Sequence, residues 1–145
     1  MTPSLPDILM GQVVALSAPL PPEAAGDYAA GRAAILAMLA MFAAQEAERG
    51  FAARLWENGA LRVLFGRAAQ AFDGELDGRL AAAAAGADDD FSLSALDRTN
   101  ADLRRLLIAL HEAAEQRGDA TLDRRILALY QAMAKARRLD LPPTP

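Results

Sequence analysis

The chain has no cysteine, which excludes disulfide bridges, thiolate zinc sites and thiol nucleophiles together. The fold must therefore be held by its own core, and 145 residues are enough to bury roughly 70% of the surface that an unfolded chain exposes. A reducing, cytoplasmic setting is the expectation that follows. Histidine is almost absent: His111 stands alone, so no metal set that needs two imidazoles can form. Lysine is as scarce, with Lys135 the single one beside fourteen arginines. No segment alternates apolar and polar residues with a period of two, so no strand is expected. The amino-terminal MTPSLPDILMGQ lacks the basic start and long apolar run of a secretion signal. A membrane span is not expected either, because the uncharged run Ala33 to Ala44 is flanked by Arg32 and Gln45 and falls short of the ~20 apolar residues required.

What is present is helix-forming. The run AAILAMLAMFAA places Ile35, Leu39 and Phe42 on one helical line, Met38 and Met41 on the next, and Leu36 elsewhere. A helix apolar nearly all round must be covered, by the chain's other helices or by a second subunit. The helix Tyr28 to Glu57 is therefore expected at the centre, with the pair Asn58-Gly59 as its stop. Before it, Ser4 and Asp7 open a first helix from Leu5 to Ser17, which Pro19, Pro21 and Pro22 end. Pro22, Glu23 and Asp27 then suit the start of the central helix.

Beyond Gly59, Leu61, Phe65, Ala68, Phe72 and Leu76 keep helical spacing, and a break is expected at Asp73-Gly74 or Asp77-Gly78 before Leu80 to Ala85 resumes. Gly86 and Asp88 to Asp90 read as a solvated loop, with Ser92 or Ser94 capping a long amphipathic helix. Leu96, Leu103, Leu107, Leu110 and Ala114 form the inward stripe of that helix, widened by Leu106 and Ile108. Gly118 closes it, Asp119 or Thr121 caps the last helix, and Leu122, Ile126, Leu129, Met133 and Ala136 share a face there. The expected architecture is an all-α, single-domain helical bundle of five or six helices over residues 1–145, with 1–3 and 142–145 frayed.

Chemistry is sparsely marked. His111, Glu112 and Glu115 resemble the HExxH zinc helix, but Glu115 stands where the second histidine belongs, so the string predicts a partly exposed histidine on a polar helix edge, the alternative being a metal set of His111 with two carboxylates. A di-iron bundle needs an acid three places before each histidine, and Ile108 occupies that place. The serines fall in capping contexts, and no glycine cluster follows a strand, so neither a serine nucleophile nor a phosphate loop is expected. No cofactor is expected.

Acidic residues outnumber basic ones 12 to 6 over residues 1–90, and basic outnumber acidic 9 to 7 over 91–145. Arg124, Arg125, Lys135, Arg137 and Arg138 make the last helix the most basic segment, an arrangement that its dipole favours at the carboxyl end and that could also meet a phosphate. The acidic balance argues against nucleic-acid binding. Trp56, beside Phe51 and Leu55, reads as core or as the wall of a pocket. The candidate ligand-binding set is Trp56, His111, Arg124, Arg125, Arg137 and Arg138; no catalytic residue is assigned.

Three segments carry a resemblance: Tyr28-Ala-Ala-Gly-Arg-Ala-Ala-Ile35 running into Gln45-Glu46-Ala-Glu48, then Leu96-Asp-Arg-Thr-Asn100-Ala-Asp-Leu103, and the closing Leu127 to Leu139. Over about half of its length the chain resembles a small all-helical family of uncharacterised bacterial proteins encoded near aminoglycoside-phosphotransferase-like kinases and acyl-CoA dehydrogenases. Residues Asp73 to Asp90 depart from that pattern. The resemblance implies an accessory role near acyl-CoA or phosphotransferase chemistry and transfers no site residue. The function expected is that of a non-enzymatic interaction protein that self-associates or holds a protein partner; the alternative is a small-molecule binder or enzyme with a pocket near Trp56, His111 and the terminal arginines.

Overall fold

The computed structural model of the chain describes residues 5, 8, 11, 12, 27–72 and 74–141. Helix α1 runs Asp27–Ala68, α2 Glu75–Ala85, α3 Leu93–Arg117 and α4 Ala120–Ala136, and no strand occurs among the described residues. Leu5, Ile8, Gly11 and Gln12 are helical as well, and Ile8 is buried. The rest of the expected first helix, the prolines Pro19, Pro21 and Pro22, and Glu23 lie outside the described residues. No described helix is long and apolar enough to cross a membrane. The chain groups into two compact units, one comprising Met1–Gly50 with Arg137–Pro145 and the other Phe51–Ala136.

The core of the Phe51–Ala136 unit follows from the periodicity of its helices. Leu96, Leu103, Leu107, Leu110 and Ala114 are all buried along α3, and Leu106 joins them. Ile108, one step round from Leu107, is instead 62% exposed, so the apolar stripe widens on one side only. On α4, Leu122, Ile126 and Met133 are buried, with Leu129 packed beside them. Leu61, Leu64, Phe65 and Ala68 of α1, Phe72 and Leu80 complete the cluster. Each of the large side chains withdrawn from water in this way contributes about 1.5–3 kcal/mol.

That burial explains why α1 runs through Asn58-Gly59, where a stop was expected. A helical glycine costs about 1 kcal/mol, less than the burial of Leu61 and Phe65 returns by keeping the rod intact. Asn58 is itself fully buried, its side chain engaged with other segments instead of closing the helix. The chain turns further on, at residues 69–72 and 74, where Gln70 and Gly74 take φ of 75° and 76°. With ψ at −144°, Gly74 occupies a region that essentially only glycine reaches. Gly78 stays helical within α2, and the Asp77 carboxylate accepts a hydrogen bond from the Gln70 backbone N–H. Of the two expected breaks, the earlier one is used; Asp73 itself lies outside the described residues.

The ends of α3 match expectation in detail. Ser92 is the N-cap, its Oγ accepting from the Ala95 N–H at 3.3 Å. Gly118 closes the helix in the left-handed conformation, φ 65° and ψ 28°. Asp119 then receives the Thr121 and Leu122 amides on Oδ1 at 3.2 and 3.0 Å and starts α4.

In the other unit, the segment after α4 pairs with the side chain of Gln45, which donates to the Asp140 carbonyl at 2.9 Å and accepts the Asp140 N–H at 2.8 Å. Arg49 reaches the Asp140 carboxylate at 3.4 Å. The run Ala33 to Ala44 was expected to be covered on several sides, by the chain's other helices or by a second subunit. Among its described side chains only Ala43 is buried; Ile35 is 52% and Met38 38% exposed, while Leu36, Leu39, Met41 and Phe42 are half-buried. The physical reason is that the apolar stripes of α3 and α4 are spent on the core of their own unit, so the cover that an all-round apolar helix needs is only partial among the described residues.

Candidate functional site

Polar side chains converge in two places within the Phe51–Ala136 unit. The first is the corner between α3 and α4. Glycine at Gly118 permits the sharp reversal, after which the Asp119 N–H returns to the Ala114 carbonyl at 3.0 Å. The reversal sets the last turns of α3 against the first turn of α4. His111 and Glu115, one turn apart on α3, thereby face Asp123, one turn beyond Asp119 on α4. His111 Nε2 lies 2.8 Å from Asp123 Oδ1 and 3.8 Å from Glu115 Oε1. The imidazole is mostly buried and tilts against Tyr130 at a ring separation of 5.8 Å. Burial raises the Tyr130 phenol above its ordinary value of 10.0, against a smaller opposing pull from Arg104. A cleft of about 350 Å³ opens beside the corner, lined by Ala114, Glu115, Gly118, Asp119, Ala120 and Asp123.

The second is a buried polar network that joins α1 to α3 and to the loop before it. Arg54, Glu57, Asn58 and Asn100 are all buried. Asn100 Nδ2 donates to Glu57 Oε2 at 2.9 Å and to Asn58 Oδ1 at 3.0 Å. Asn58 Nδ2 donates to Asp88 Oδ1 at 3.1 Å, Arg62 holds both Asp88 oxygens at 2.7 and 2.9 Å, and Arg54 Nε meets Asp97 at 2.7 Å. The Arg62 Nε is buried without a hydrogen-bond partner among the described residues, its terminal nitrogens being spent on Asp88.

Asp88 was expected in a solvated loop, but its side chain is only 5% exposed. Its carboxyl sits below the ordinary 3.8, chiefly because Arg62 donates to the ionised form; burial opposes this only in part. Asp90 is lowered as well, first by the Ser92 backbone N–H that it accepts at 2.8 Å. A buried network of this kind fixes the register of α1 against α3.

A groove of about 250 Å³ runs between α1 and α4, floored by Ala60, Val63, Leu64, Ala128 and Leu129 and rimmed by Arg67 and Arg125. Trp56 is exposed one turn before Ala60 on the same helical line. Arg124 is exposed beside Arg125 on α4. The expected ligand set is thus placed in separate surroundings: Arg125 at the groove, His111 at the corner with Glu115 and Asp123, and Arg137 and Arg138 in the other unit, where Arg138 Nε lies 3.7 Å from Asp140. Asp123 and the network residues Glu57, Asn58, Arg62 and Asn100 were not singled out as site residues. The adverse signal was available for Glu57 and Asn58, since both fall on the same side of a helix as Leu61 and Phe65.

The chain matches no family model, no curated protein and no solved structure.

Proposed function

We propose that the chain is a non-enzymatic helical accessory protein that associates with a second copy of itself and through that assembly holds a protein partner. The observation that carries this reading is the uncharged run of α1, on which Ile35 and Met38 stand in water and their apolar neighbours are half-open. Clustered exposed apolar side chains favour association, which returns about 25 cal/mol for each Å² they lose to a partner. A face with no charge offers nothing to a charged ligand, and a closed two-fold pair covers the same surface on both copies. Covered in this way, the helix would be the long central apolar element of a bundle of five or six helices. The cytoplasmic, bacterial setting and a link to acyl-CoA or phosphotransferase metabolism are supported by the composition and the resemblance alone. Light scattering at micromolar concentration tests the reading: a dimer or larger is expected, reduced to monomer by Ile35→Glu with Met38→Glu, and a monomeric wild-type chain would refute it.

A second reading has an observation of its own. The α1–α4 groove pairs an apolar floor with two arginines and no lining acid, which suits a small anion bearing an acyl or aryl group. A thermal-shift screen with short acyl-coenzyme A thioesters and nucleotides tests it, since a ligand that prefers the folded state raises Tm and Arg125→Glu should abolish the rise.

A further inference from the structure

We propose that His111, Glu115 and Asp123 bind one zinc ion at the α3–α4 corner. Zinc holds nitrogen and carboxylate ligands at about 2.0–2.2 Å in a tetrahedron, which sets neighbouring ligand atoms about 3.3 Å apart. The two distances from His111 Nε2, 2.8 Å to Asp123 and 3.8 Å to Glu115, bracket that separation, and the three ligand atoms all lie within 4.8 Å of one another. The Glu115 side chain, 67% exposed, has room to swing toward the other two donors.

His111 is packed against Tyr130 and its Nε2 already lies 2.8 Å from Asp123 Oδ1, so two of the three donors are paired with each other at the corner. Where the HExxH pattern lacks its second histidine, Asp123 of the next helix takes up the position opposite His111. One imidazole with two carboxylates favours a borderline ion over magnesium or calcium, which prefer oxygen alone. Glu115 and Asp123 also line the cleft, which leaves room beside the three ligands for water or a small anion as a fourth.

The experiment is calorimetric titration of the full, chelator-treated chain with zinc chloride, repeated with magnesium and calcium. One equivalent of zinc should bind per chain, with magnesium and calcium binding at least about a hundredfold more weakly. His111→Ala should remove the site. Glu115→Gln, at an exposed position outside the core, should keep the circular dichroism and melting of the wild type and weaken zinc by about tenfold or more. Cobalt in place of zinc should give the visible absorption of a tetrahedral site. Absence of zinc binding to the wild type, or binding left unchanged by both substitutions, would overturn the proposal; so would magnesium binding as tightly as zinc.

Discussion

Asn100 carries a prediction whose size can be worked from its surroundings. The side chain is 3% exposed and donates two hydrogen bonds, one to the Glu57 carboxylate at 2.9 Å and one to the Asn58 amide oxygen at 3.0 Å. A bond to a charged acceptor is worth about 1.5–3 kcal/mol and a neutral one about 0.5–1.5 kcal/mol, so Asn100→Ala should cost about 3 kcal/mol. With a urea dependence of about 2 kcal/mol per molar, the unfolding midpoint should fall by about 1.5 M. Asn100→Asp should cost more than Asn100→Ala, because it buries a second carboxyl group against Glu57 and removes the amide donor. Equilibrium urea denaturation followed by circular dichroism reads both variants. A midpoint shift below about 0.3 M for Asn100→Ala would show that the network does not hold α1 to α3 and would refute the reasoning.

Asp88 is held ionised below its ordinary 3.8, so the folded chain binds fewer protons there than the unfolded one as pH falls past that value. Its contribution is fully present above about pH 5 and is lost as pH falls through the folded value, and urea titrations between about pH 5 and pH 2 should show a shallower loss for Asp88→Asn than for the wild type. Gly78 has helical backbone and open space where a Cβ would stand, so Gly78→Ala should stabilise by up to about 1 kcal/mol and raise Tm by a few degrees. Gly74→Ala should do the reverse by about 1–3 kcal/mol, because φ of 76° with ψ of −144° strains any side chain.

The parts of the fold that were legible in the sequence are those in which the information is local. The α3 stripe from Leu96 to Ala114, the Ser92 and Asp119 caps and the Gly118 closure each depend on residues within a few turns, and each stands as the spacing implies. The end of α1 was not legible, because Asn58 answers to Asp88, Leu96 and Asn100, which lie thirty or more residues away. Asp88 misled for the same reason: three consecutive aspartates look solvated until Arg62, 26 residues earlier, is brought beside one of them. The candidate corner was half legible. His111 and Glu115 share a helix line, but Asp123 enters only through the geometry of a turn that sequence spacing does not specify.

Hydrogen exchange over residues 31–45, measured by mass spectrometry at nanomolar and at tens of micromolar chain, is the most direct test of what the uncharged run is for. Association over Ile35 and Met38 predicts amide protection that rises with concentration and does not rise in the Ile35→Glu, Met38→Glu double variant. Equal protection at both concentrations in the wild type would contradict it.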